Sequence, residues 1–136
     1  QVLNFPEYEF HIQEQEQKKV IFDPIRKKFI PLTPEEWVRQ HCICHLVQRF
    51  NLPIGLIAVE REIQVHGLRK RFDIVGFANS GSPLILIECK ATSVELTQET
   101  LIQVATYNNK LDSPWMWITN GIQHVGLKGK MAKRNW

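Results

Sequence analysis

Five polar residues between positions 73 and 107 have the types and spacing that phosphoryl chemistry uses: Asp73, Glu88, Lys90, Gln103 and Tyr107. Asp73 and the Glu88-Cys89-Lys90 triplet lie in two strongly apolar segments, 71–78 and 84–90, where burial would ordinarily select hydrocarbon. Side chains two apart on a strand point the same way. Glu88 and Lys90 should therefore leave one face together with Leu84 and Leu86, while Ile85, Ile87 and Cys89 face the other layer. Two carboxylates converging at a sheet end offer the hard oxygen donors that Mg2+ prefers, and Mn2+ may replace it. In such a site Asp73 and Glu88 bind the cation and Cys89 adds only its backbone carbonyl. The cation polarises a phosphodiester and acidifies a water, and Lys90 orients that water or offsets charge on the phosphate.

The elements must bring these residues together. The turn signal Asn79-Ser80-Gly81-Ser82 makes 71–78 and 84–90 an antiparallel pair centred near residues 80–81, with Asp73 opposite roughly residue 88. Taken alone, a Glu-x-Lys at a strand end is an ordinary solvated ion pair. An acid in register on the neighbouring strand makes the set more specific. Gln103 and Tyr107 are four apart and share one face of a helix capped by Ser93 or Thr97, placed to contact phosphate or base. The bland alternative is a half-buried amphipathic row. Arg71, two residues before Asp73, is a further candidate for phosphate contact, against Arg69 and Lys70 as a solvated turn.

Elsewhere, short strands are expected around 9–14, 19–23 and 28–31, with a turn at Asp23-Pro24. Thr33-Pro34-Glu35-Glu36 starts a helix running to about Phe50: Thr33 as N-cap, Pro34 at the first position, Glu36 closing a capping box. Residues 57–65 form a strand. Trp115–Thr119 reads as a buried strand with both tryptophans in the core, followed by a type I′ hairpin at Asn120-Gly121 and a partner strand at 123–127. This order predicts the α/β class, a mixed sheet with helices on it. The 136 residues, 43% of them hydrophobic, suit one domain: a β extension over 1–32, a core over 33–127 and a basic tail over 128–136.

No apolar run approaches the ~18 residues a membrane crossing needs, so no membrane partner is expected. Three cysteines, an odd count, argue against a disulfide framework and fit a reducing cytoplasm. A net charge of +3 permits nucleic-acid binding without requiring it. His41, Cys44 and His45 could share one side of the first helix, but no second cluster supplies a fourth zinc ligand, and the thiols fit better as small core residues.

The pattern Asp73, fourteen residues, Glu88-x-Lys90, then Gln103-x-x-x-Tyr107 resembles the PD-(D/E)xK, restriction endonuclease-like nuclease superfamily and its branch with a RecB-like Q-x-x-x-Y element. It is most similar to the N-terminal nuclease domain of type I restriction enzyme R subunits, through the stretches from Asp23-Pro24 to Val38-Arg39 and from Leu86-Ile87-Glu88-Cys89-Lys90-Ala91 to Thr119-Asn120-Gly121. The likeness covers about residues 20–125. It implies a restriction endonuclease-like core acting as a Mg2+-dependent DNA nuclease, in a restriction-modification or DNA-processing system. Asp73 and Glu88 would hold the metal, Lys90 would assist the attacking water, and Gln103 and Tyr107 would support DNA or the lysine. A further acid often comes from the first helix, here Glu36 or Glu35. Phe72 stands where the family name has proline. No G-x-x-x-x-G-K-[ST] loop is present, so a motor or specificity subunit would be a separate partner. Cutting both strands needs two sites or two passes, which a homodimer would provide. The alternative is a nuclease-like module that binds nucleic acid or a protein without cleaving.

Overall fold

The computed structural model describes residues 2–65 and 67–128, without the side chains of residues 63, 65, 68, 70, 107, 109 and 110. The expected basic tail beyond Lys128 and the Tyr107 side chain thus lie outside the described residues. Among those described, no helix is long and apolar enough to cross a membrane.

Two sheets form. Strands β1 (Ile12–Gln15), β2 (Lys18–Asp23) and β3 (Lys28–Pro31) make an antiparallel meander at the N-terminus. Its first turn is two residues long, and Glu16 and Gln17 both take positive φ (50° and 67°), as a type I′ turn demands although neither residue favours it. The second turn is built on Asp23. Its Oδ1 accepts from the N–H of Ile25 (2.7 Å) and of Arg26 (3.2 Å), and its Oδ2 is paired with the Arg26 guanidinium. Asp23 is fully buried.

The main sheet runs β4 (Ile57–Val65), β5 (Leu68–Phe77), β6 (Pro83–Cys89), β7 (Trp115–Thr119), β8 (His124–Lys128) in spatial order. Only the β6–β7 pair is parallel, because helix α2 (Gln98–Leu111) carries the chain back between them. Helix α1 (Pro34–Gln48) covers the other face: Val38, Cys42, Ile43 and Leu46 pack on Ile57, Ile74, Ile85, Ile87 and Cys89. On the α2 side, Val104 meets Phe72, Val75, Leu86, Met116 and Ile118. Strand β6 is thus covered on both faces, as its near-continuous apolar run implied.

Helix α1 starts where the sequence says, and α2 starts at Thr97, one of the two caps the sequence offers. Thr33 Oγ1 accepts from Glu36 N (3.0 Å), and Thr97 Oγ1 from Thr100 N (3.2 Å). Three details differ. The capping box is half made, because the Glu36 carboxylate turns to Arg26 instead of back to Thr33. Strands β7 and β8 are joined by four residues, since Thr119 pairs with His124. Asn120 Oδ1 organises that loop by accepting from the N–H of Ile122 and Gln123. Gly121 there has φ +89°, and a Cβ on it would sit 2.9 Å from Leu3. Finally Trp115 is not core: 43% of it is exposed, and Lys128 lies over its ring.

Candidate active site

The β5–β6 ladder pairs Ile74 with Ile87, so the next position outward sets Asp73 opposite Glu88, as the sequence register required. Asp73 Oδ2 accepts from the backbone N–H of Cys89 at 2.7 Å. The N–H of Asp73 points at Glu88 Oε1, 3.4 Å away. Each acid is therefore located by the backbone of the strand that carries the other. Glu88 is buried, on the α2 side with Leu86 by alternation, and makes a further polar interaction. Lys90 follows at the end of β6, half-buried, its N–H donating to Thr119 O of β7 (2.8 Å).

Strand β5 is irregular at this point. Phe72 and Val75 pack on the α2 side but Ile74 on the α1 side, so alternation fails at Asp73. Its neighbour across β4 is Glu60. Val59 pairs with Ile74 and Arg61 with Phe72, whereas Glu60 makes no bridge and takes φ +52°, the left-handed region. A non-glycine residue held there in mid-strand costs on the order of 1 kcal/mol or more, a cost concentrated at functional sites.

Helix α1 contributes two adjacent acids with different fates. Glu36, 4% exposed, receives both its oxygens' bonds from Arg26 Nη2 (3.0 Å each) and a third from Gln40 (2.9 Å). Its carboxylate is thereby engaged by protein donors on both oxygens. Glu35 is half-buried, and burial followed by the nearby Asp73 charge raises its pKa; Arg39 and Lys90 pull it down, and Glu36 adds a small upward push. Glu35 is thus the α1 acid that feels the fields of Asp73 and Lys90.

The donors at this strand end are of the hard, oxygen type that a divalent cation takes. Asp73 keeps Oδ1 outside its bond to Cys89, Glu88 stands beside it, and the Asp73 charge reaches Glu35 of α1, so the acids here offer oxygen donors only. Among the described residues no three His, Cys, Asp or Glu side chains already close around one point. Water and a phosphate oxygen would complete the shell.

The remaining sequence candidates separate. Gln103 is exposed on α2, next to buried Val104, where a substrate can reach it. Arg71 is exposed and lies 4.0 Å from Glu62, a surface pair on the β4–β5 hairpin, as Arg69 is with Glu62 at 3.3 Å. The histidines and thiol of α1 are used locally. His41 Nδ1 bonds Trp37 O (2.8 Å), His45 Nδ1 bonds Tyr8 Oη (2.6 Å), and burial pushes the Cys44 thiol up to about 11. An apolar cavity of about 330 Å³, lined by Leu46, Phe50, Leu84, Trp115 and Trp117 among others, lies toward the start of β6, away from the charged end. It offers a phosphate nothing polar.

Sequence reasoning missed Asp23, Arg26, Arg39 and Glu60, which form one ion network around Glu36. Arg26 reaches Asp23, Glu36 and, at 3.8 Å, Glu60; Arg39 Nη2 lies 3.2 Å from Glu60 Oε1. The available signal was an arginine inside the core-facing row of α1, between Val38 and Cys42.

A solved structure similar in fold is a protein of the DUF820 group from Anabaena variabilis ATCC 29413, described there as a candidate nuclease. It is 12% identical over 91% of this chain and 80% of that one, with a TM-score of 0.46. No curated protein matches the chain. The family model for the type I restriction enzyme R protein N terminus (HSDR_N) matches residues 34–135, from the first turn of α1 through the whole main sheet. The chain therefore belongs to the type I restriction enzyme R protein N-terminal family.

Proposed function

We propose that the chain is a divalent-cation-dependent DNA nuclease domain. The observation that carries this reading is the reciprocal placement of Asp73 and Glu88 by each other's strands, with Lys90 at the same strand end and Glu35 of α1 near enough for the Asp73 and Lys90 charges to act on it. Asp73, Glu88 and Glu35 would hold Mg2+ or Mn2+, which, when bound, supplies charge neutralisation at a phosphodiester and acidification of water. The chain's own groups do the rest. Lys90 donates to the water or to a non-bridging phosphate oxygen as negative charge builds there. Water oxygen forms the new bond to phosphorus as the ester P–O bond breaks, the water's proton leaves to solvent, and the departing oxygen takes one up. Buried Glu88 stays fixed, so little reorganisation accompanies the reaction. Gln103, exposed on α2, contacts the strand being cut, and Tyr107 shares its helix face by spacing.

A separate motor or specificity subunit would deliver DNA, consistent with the family to which the chain belongs. The test is cleavage of supercoiled and linear DNA with Mg2+ or Mn2+, by the unmodified protein and by D73N and K90A variants of unchanged melting behaviour. Metal-dependent cutting lost in both variants supports the reading. Cutting retained in both, or no metal-dependent cutting or Mn2+ binding by the unmodified protein, overturns it in favour of a non-cleaving module.

A further inference from the structure

We propose that Arg39 and Glu60 are positioning residues that fix the first turn of α1, and with it Glu35, against Asp73 and Lys90; this rests on the metal-dependent reading above. Arg39 is one turn along α1 from Glu35, so the two share a face. Arg39 is 4% exposed and its guanidinium sits between two acids: Nε lies 3.4 Å from Glu36 Oε2 and Nη2 lies 3.2 Å from Glu60 Oε1. Among the described residues neither Nε nor Nη1 finds a hydrogen-bond partner. Glu60 can reach Arg39 because β4 breaks its ladder there, directly across from Asp73, with φ +52°. Arg26, anchored on buried Asp23, closes the network from the β2–β3 turn. Three separate elements thus meet by charge on the turn of α1 that carries Glu35.

Stability does not account for this arrangement. A buried pair such as Arg39–Glu36 generally holds a fold less well than apolar side chains of the same volume. The Glu60 end of the network is exposed, where an ion pair adds little, and a left-handed glutamate in mid-strand adds strain. Both costs fall beside the candidate metal acids and act on the one element that brings in Glu35. Groups that orient metal ligands from behind typically control affinity by ~10–100-fold.

The experiment is Mn2+ binding by the folded protein without DNA, followed by calorimetry and by the paramagnetic signal of free Mn2+, with thermal melts alongside. Variants are D73N, E60Q, E60G, E60D and the pair E60Q/R39M. The pair removes both charges together and stays folded even where E60Q alone strands a buried arginine. Expected is a loss of Mn2+ affinity of about tenfold or more in E60Q/R39M at preserved melting. E60G, which accepts the left-handed backbone freely, should bind as weakly as the pair, and E60D should recover most of the affinity. Mn2+ binding by E60Q/R39M or E60G equal to that of the unmodified protein, while D73N has lost it, overturns the positioning role and leaves the nuclease reading standing. No Mn2+ binding by the unmodified protein overturns both.

Discussion

The backbone N–H of Asp73 faces Glu88 Oε1 at 3.4 Å while the Asp73 carboxylate takes the N–H of Cys89 at 2.7 Å. Neither acid can shift along its strand without breaking a bond made by the other. Two like charges are thereby held close by main-chain geometry, which a flexible surface pair would avoid.

This arrangement makes Asp73→Asn a clean probe. Asparagine Oδ1 can still accept from Cys89, so the strand end should keep its shape while the charge disappears. Cleavage should fall by about a hundredfold or more, with the melting temperature near that of the unmodified protein. Single-turnover rates with Mg2+ beside a thermal melt decide it.

Glu35→Gln should separate stability from activity. The folded-state pKa of Glu35 is raised, by burial and then by Asp73, so the folded protein binds this proton more tightly than the unfolded chain does. Stability is then lost as pH rises from the ordinary glutamate range through the raised value. E35Q removes that loss. It should melt higher than the unmodified protein at neutral pH, the gain should vanish below about pH 4, and metal-dependent cleavage should drop. Melting curves across pH 3.5–7.5 give the sign.

Acid should loosen the N-terminal segment. Burial lowers the pKa of His41, and burial with the Arg49 and His124 charges lowers that of His45. Both rings pack against Phe5 and Tyr8. The unfolded chain takes up these protons first, so stability falls as pH drops through about 6.5. Replacing His45 by Gln should flatten the melting-temperature slope between pH 7 and 5.

Gly121→Ala should destabilise by about 1 kcal/mol or more, because φ is +89° and the new methyl meets Leu3 at 2.9 Å and Val38 at 3.1 Å. Urea unfolding with an unchanged slope would confirm a native-state effect.

Much of this was legible in the sequence because it depends on local rules. The Thr33 and Thr97 caps, the doubly covered β6 and the Asp73–Glu88 register follow from periodicity and one turn. The partner of Glu36 was not, since the capping-box pattern accounts for that side chain until Arg26, ten residues upstream, arrives to claim it. Glu60 was hidden for a similar reason: its side chain reaches Arg39 only through a backbone irregularity that an alternating strand does not announce. The Glu16-Gln17 turn lacks the glycine or asparagine that marks its type. Trp115 followed alternation faithfully, yet on its side of the β6–β7 end it lines an open apolar cavity and is covered in part by Lys128.

The reverse between β5 and β6 is an exposed stretch, residues 79–82, closed by Ala78 N–H to Ser82 O at 2.9 Å. From there to Asp73 or Glu88 the strands extend about 20 Å at ~3.3 Å per residue. A dye or affinity handle grafted at Ser80 would ride on the same hairpin as both acids without touching either.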